Sequence, residues 1–525
     1  MRPETVAWAA APSAATRLTD PPSHDRLWAR SPVQYRREGM LCPDILAARH
    51  AVTRQRSRLM SSTENFDILI IGSGEAGKYL AWTMAGEGRR TAVVERELIG
   101  GACPNIACLP SKNIIHSAKV RHFTTRAAEF GVDLGSAVTN MKGVQARKRA
   151  MVDGLRQLHL DRYWASGAEL IMGEARFVSA RTVDVRLVGG GTRRISGERV
   201  FLNMGTHARV PDVPGLVAAR PMTHVELLDL DRLPEHLIVV GGGYVGLELA
   251  QAMRRFGARV TVIEHGPQLA GSEDPDVGAA ILDLFRDDGI TVQVGSDVRR
   301  VEGTSGDRVR VVTGGQDGEG TAEGTDLLVA TGRTPDTSDV GLELAGVELD
   351  KAGYIVVDEH LATTAANVWA MGECAGSPQF THASFDDFQV VHDNLRGGSS
   401  TTTGRLLAYC MFTDPELARV GMNESEARRR GIRYRLLTMP MAAVLRTRTL
   451  SEPRGFMKML VAADSDHILG FTVFGAEASE PMAVVQTAMV GGLPYTELRR
   501  AIFAHPTTSE GLTFLLRNTP TPPTG

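Results

Sequence analysis

Cysteine is scarce: the 525-residue chain holds five, Cys42, Cys103, Cys108, Cys374 and Cys410. An odd, sparse set in a long chain excludes a disulfide-stapled secreted scaffold and fits a reducing, cytoplasmic setting. No apolar run reaches the eighteen or so residues that a membrane span needs. The greasiest stretch, Leu237–Ala250, is interrupted by three of its glycines near its start. Lys and Arg form no long stripe and the formal net charge is only −3, which disfavours nucleic acid as a partner. Small molecules fit better. Residues 1–60 contain no Lys and lack helical or alternating periodicity; they read as a disordered extension or a start misassigned ahead of Met60.

What is present is a repeated pattern. Asp67-Ile68-Leu69-Ile70-Ile71 reads as a buried parallel strand, followed by Gly72, Gly74 and Gly77 in a GxGxxG turn and a helical stretch to Gly88. The second copy runs Leu237–Val240, then Gly241, Gly243 and Gly246, then a helix towards Phe256. Such a turn lets backbone N–H groups approach a pyrophosphate at a helix N-terminus. In both copies the next strand ends in an acid twenty-three positions after the first glycine, Glu95 and Glu264, placed to accept hydrogen bonds from a ribose diol. Two such units imply two dinucleotides. The carboxylate of Glu264 repels a 2′-phosphate, so NADH is expected over NADPH, with His265 as the neighbour that softens the rule.

Five residues after Glu95 comes Gly100-Gly101-Ala102-Cys103-Pro104-Asn105-Ile106-Ala107-Cys108-Leu109-Pro110-Ser111-Lys112. Two cysteines opening what reads as one helix sit near a positive dipole end that favours thiolate. A zinc site would need further ligands, and Cys374 and Cys410 are isolated, so no metal is expected. Past residue 405 the glycine turns stop. Strands over Gly455–Val461 and Ile468–Phe474 and helices over Glu480–Gly491 and Tyr495–Ile502 read as a separate α+β domain.

The stretch GGACPNIACLPSK resembles the redox-disulfide signature of the class I pyridine nucleotide-disulfide oxidoreductases, over about residues 65–515. The resemblance implies an α/β fold with two Rossmann-like domains, for FAD and NAD, and a C-terminal α+β dimerisation domain. The FAD domain would comprise residues 61–210 and 329–404, the NAD domain 211–328 and the dimerisation domain 405–518, with a tail at 519–525. Cys103 matches the thiol that attacks substrate and Cys108 the thiol against the flavin. Lys112 matches the lysine near flavin N5 and Glu248 its acidic partner. Gly332 lies in a second flavin-domain signature, Ala330–Pro335, and Glu373 takes the place of the usual Asp that meets the ribityl chain. His505 and Glu510 match a catalytic dyad that the partner subunit of a homodimer supplies, with His505 as acid and base.

The absence of a cysteine pair in Leu512–Gly525 disfavours mercuric reductase, and Glu264 disfavours glutathione reductase. Dihydrolipoamide dehydrogenase, running in the reverse direction, stays open. Phe380–Phe388 and Arg454–Lys458 resemble mercuric-reductase-like proteins that reduce metal ions, quinones or disulfides. A flavoprotein scaffold or redox sensor is the reading from another class.

Overall fold

The computed structural model describes residues 63–315, 318–518 and 521. The expectations for residues 1–60, Cys42 among them, and for most of the 519–525 tail lie outside the described residues.

Burial on both faces explains the near-continuous apolar strands at the centre of the first layer. Ile68, Leu69 and Ile70 are buried in the strand Glu64–Ile71. That strand starts three residues before the apolar run because its pairing with Thr192–Leu202 reaches back to Glu64 opposite Ile195. The strands Glu169–Ser179, Thr91–Glu95, Glu64–Ile71, Thr192–Leu202 and Val368–Ala370 lie side by side and parallel. Thr182–Leu187 joins the outer halves of Glu169–Ser179 and Thr192–Leu202 as an antiparallel meander. Between Leu202 and Val368 the chain leaves this sheet and builds a second one, ordered Asp326–Val329, His236–Val240, Arg259–Ile263, Thr291–Gln293 and again parallel.

Each glycine turn sits at the carboxyl end of a central strand, where ligands bind in open α/β sheets. The helices that follow are Glu75–Gly86 and Tyr244–Phe256. The first ends two residues before Gly88, because Gly88 turns left-handed with φ +84° and its N–H bonds back to the Ala85 carbonyl. The third layer is an antiparallel sheet of five strands, with Phe456–Ala462 and Ile468–Gly475 at its centre. Helix Ser479–Val490 packs on it. The next helix covers only Tyr495–Arg500, since Ala501 is already extended at ψ 142°. Among the described residues no helix is long and apolar enough to cross a membrane.

Candidate active site

The cysteine loop is seated against the first glycine turn by two left-handed glycines. Gly100 and Gly101 have φ of +89° and +81°, and a Cβ on Gly101 would lie 2.6 Å from the Cα of Gly74. Only glycine allows both the conformation and the approach. Asn105 closes the loop, donating from Nδ2 to the carbonyls of Ile99 at 2.9 Å and Gly101 at 2.8 Å. The two cysteines do not share one helix. Cys103 lies in the short helix Ala102–Asn105, and Cys108 opens a separate helix, Cys108–Thr125. Ile106 and Ala107 leave helical geometry between them, with Ala107 at φ −129°, ψ −104°.

Cys103 and Cys108 are free thiols with opposite acidities. The hydrogen bond from Cys103 lowers the pKa of Cys108 to about 6 against the opposing effect of burial, with help from Thr381 and the charge of Lys112. The same hydrogen bond, and burial, push Cys103 well above the usual thiol range. The expected thiolate-favouring environment thus holds for Cys108 and not for Cys103, with the hydrogen bond between the two as the largest cause. One proton shared between two sulfurs settles on Cys103, and only Cys108 begins a long helix. Thr381, at the start of helix Thr381–Leu395, places its hydroxyl 3.4 Å from the Cys108 sulfur.

One turn along from Cys108, Lys112 Nζ donates to Glu248 Oε2 at 2.7 Å. The other oxygen of Glu248 accepts from the backbone N–H of Phe412 at 2.8 Å, and Lys112 lies 4.9 Å from the centre of the Phe412 ring. The pair thus links the cysteine helix, the second glycine-turn helix and the edge of the C-terminal layer.

A cavity of about 500 Å³ runs from the first glycine turn to Cys103. Gly72, Gly74, Glu95, Cys103, Thr381 and Glu373 all line it. Gly72 and Gly77 are required by packing alone: a Cβ on Gly72 would meet the Asn203 carbonyl at 2.3 Å, and one on Gly77 the Gly72 carbonyl at 2.3 Å. Glu95 Oε2 accepts from the N–H and hydroxyl of Ser73 at 2.9 and 2.6 Å, and Oε1 from the N–H groups of Glu97 and Leu98. Glu373 accepts from Thr206 and, at 3.0 Å, from Arg333 Nε. Gly332, beside Arg333, has φ +106°.

The second turn repeats the design. Glu264 Oε2 accepts from Gly242 N–H at 2.6 Å and Oε1 from Gly266 N–H at 2.7 Å, with His265 Nδ1 2.8 Å from Oε1. In both copies the acid therefore grips the second residue of its own turn, a structural role that the ribose reading had missed. Gly241 and Gly246 pack as tightly as their counterparts, with Cβ positions 2.4 Å from the Ala330 carbonyl and 2.1 Å from the Gly241 carbonyl. Gly243 differs. No protein atom lies within 4 Å of its Cβ position, and no side chain caps the helix that it precedes. A glycine with space before it, at an uncapped helix N-terminus, is a cradle that suits a pyrophosphate.

His505 and Glu510 are brought together: His505 Nδ1 lies 3.0 and 2.9 Å from the two Glu510 oxygens. The imidazole is 60% exposed, and neither residue lines the cavity that holds Cys103. Sequence reasoning gave no role to Ser73, Asn105 or Asn203. Ser73 and Asn105 fall at unspecified positions inside the motifs, and Asn203 reaches the first turn from 126 residues away.

Two dinucleotide turns, one of them facing a polarised thiol pair, define a dithiol oxidoreductase that works with two nucleotide cofactors. Residues 66–387 match the family described as pyridine nucleotide-disulphide oxidoreductase, and residues 407–515 match its dimerisation domain. The chain belongs to the pyridine nucleotide-disulphide oxidoreductase family, an FAD- and NAD(P)H-dependent class of enzymes. It is 34% identical to the probable pyridine nucleotide-disulfide oxidoreductase RclA of Escherichia coli, over 85% of this chain and 98% of that protein. It is 31% identical to a mercuric reductase of Streptomyces lividans, over 86% and 96%. Among solved structures, the Cu(II) complex of the HOCl-induced flavoprotein disulfide reductase RclA from Escherichia coli superposes with a TM-score of 0.79 at 33% identity, covering 86% of this chain and 99% of that one.

Proposed function

We propose that the enzyme passes electrons from NADH by way of FAD to the Cys103–Cys108 pair, and from Cys103 to a disulfide, metal-ion or quinone acceptor. The observation that carries this reading is the placement of the cysteine pair, with Cys103 lining the first-turn cavity and Cys108 opening its helix 3.4 Å from the Thr381 hydroxyl. When bound, FAD couples a two-electron hydride donor to thiol chemistry. The first-turn cavity, lined by Gly72, Gly74, Glu95 and Glu373, would hold it, with Gly77 and Gly332 in the neighbouring backbone, and Lys112 with Glu248 would sit beside its reactive ring. The second turn, with Gly241, Gly243, Gly246 and Glu264, would hold the nicotinamide dinucleotide, and the carboxylate of Glu264 favours a free 2′-hydroxyl.

In the acceptor step, Cys103 loses its proton to His505 of the partner subunit and attacks one sulfur of a disulfide. The departing sulfur takes the proton back. Cys108 then displaces the second sulfur and closes the Cys103–Cys108 disulfide, so NADH, one proton and RSSR give NAD⁺ and two RSH. Glu510 fixes the imidazole tautomer from Nδ1. The residue ranges 61–210 with 329–404, 211–328 and 405–518 serve as FAD, NAD and dimerisation domains. The sparse, odd set of five cysteines supports a reducing, cytoplasmic setting as part of this reading.

The test is an acceptor panel on purified, FAD-loaded enzyme under NADH, covering lipoamide, small disulfides, Cu(II), Hg(II) and quinones. Rapid NADH oxidation with at least one acceptor, lost in Cys103→Ser, is expected. Turnover of none would leave the redox-sensor reading in its place.

A further inference from the structure

Three residues from separate segments meet at the mouth of the first-turn cavity. Arg96 directly follows the strand Thr91–Glu95, His207 lies in the short strand Thr206–Ala208, and Asp336 follows the strand Arg333–Pro335 that pairs with it. All three line the cavity. Asp336 is the bridge: its Oδ1 lies 2.7 Å from His207 Nδ1, and its Oδ2 accepts from Arg96 Nη2 at 3.3 Å. The Asp336 side chain is 17% exposed, against 59% for His207 and 63% for Arg96, so the carboxylate is the sheltered member of the three.

Asp336 also begins a strap. At its near end the Asp336 N–H donates to the Gly205 carbonyl at 3.0 Å. At its far end the N–H of Phe177 donates to the Val340 carbonyl at 2.7 Å, and Arg176 Nη1 to that of Asp339 at 3.0 Å. Ser338 and Val340 line the cavity together with Gly173 and Ala175 of the strand Glu169–Ser179. Backbone bonds thus pin both ends of the strap, and the Arg96–Asp336 contact ties it, across 240 residues, to the segment after Glu95.

Resting on the reading of this cavity as the FAD site, we infer that Asp336 is a cofactor-retention residue, which with Arg96 and His207 forms a clasp over the adenosine end of the dinucleotide. Glu95 places that end, since a carboxylate at the close of this strand is the acceptor for a ribose diol. Arg96, the next residue, then lies beside the adenosine. A dinucleotide leaving through this mouth must first break the bridge, so the clasp slows release.

The test is the rate at which FAD leaves the holoenzyme, read as the rise of free-flavin fluorescence after dilution. Asp336→Asn keeps the shape and loses the charge, and Arg96→Ala removes the other half of the bridge. Each is expected to speed release by roughly twofold to fivefold, the range for a partly exposed ion pair. The double variant should release FAD no faster than the quicker single one, because both changes break one bridge. A merely structural role for Asp336 would show no such coupling to Arg96. An unchanged rate in either single variant, or fully additive effects in the double, overturns the inference. If the wild-type chain binds no FAD, the reading of the cavity itself fails. If it binds FAD and the variants release it at the wild-type rate, that reading stands and the clasp alone fails.

Discussion

The sulfur of Cys108 lies 3.4 Å from the hydroxyl of Thr381, each at the first position of its own helix. The contact spans 273 residues and gives the thiolate a partner besides Cys103. Removing it in Thr381→Val takes away a hydrogen bond to a charged group worth about 1.5–3 kcal/mol, or roughly one to two pH units. The thiolate is present above its pKa, which the structure lowers to about 6, and lost below it. The charge-transfer absorbance of the two-electron-reduced enzyme should therefore titrate at a higher pH in Thr381→Val and near the wild-type value in Thr381→Ser. An unmoved midpoint in the valine variant would show that the hydroxyl does not tune the sulfur.

The division of labour proposed for the cysteines predicts opposite single-mutant spectra. Cys108→Ser should keep bound FAD and lose the long-wavelength band, while Cys103→Ser keeps the band and loses disulfide reduction. Absorbance during anaerobic NADH titration reads both. A full band in Cys108→Ser would reassign the sulfur.

The glycines of the second turn predict a split between stability and binding. Gly243→Ala adds a methyl to open space at φ −83°, so melting temperature should hold while the KM for NADH rises. Gly246→Ala drives a methyl to within 2.1 Å of the Gly241 carbonyl and should cost about 1–3 kcal/mol of stability. Thermal denaturation beside NADH kinetics separates the two. Equal loss of both properties in Gly243→Ala would remove the pyrophosphate cradle.

The two sheets, their glycine turns and the acids at the ends of the following strands were legible because each is a local pattern of period and spacing. The Lys112–Glu248 pair joins positions 136 residues apart, and only the resemblance drew it together from the sequence. The break at Ile106 and Ala107 was not legible, since neither residue is a helix breaker and the loop is fixed by Asn105 and by contact with Gly74. The unequal acidity of the thiols was hidden for the same reason: it depends on Thr381 and on which sulfur keeps the shared proton. Local sequence carries propensity, whereas these features come from contacts made after the layers pack.

Glu264 holds its own turn, and the nucleotide selection proposed for it can be tested beside that structural role. Glu264→Ala should relieve discrimination against NADPH and weaken NADH, read as the ratio of their kcat/KM values. It also strips the acceptor from Gly242 and Gly266, so about 1–3 kcal/mol of stability should go with it. A wild-type enzyme that already prefers NADPH would refute the cofactor assignment.

The last prediction concerns where His505 acts. The imidazole is paired to Glu510 and exposed, outside the cavity that contains Cys103, and it lies in the segment matched by the dimerisation domain. A dyad built outside the cavity that holds its own chain's Cys103 is what a site completed by a second subunit requires. Cys103→Ser and His505→Ala homodimers should each be inactive in disulfide reduction. In a mixed dimer with shared sites, one site carries both lesions and the other carries neither. Random exchange places about half of the chains in such dimers, each with one intact site. Activity should therefore return on mixing, to about a quarter of the wild-type value per chain. If each chain served its own cysteines, every site in the mixture would keep one lesion and no activity would return. Exchange confirmed by differently tagged subunits, with no recovery, would exclude the trans arrangement and leave His505 either acting within its own chain or without a catalytic part.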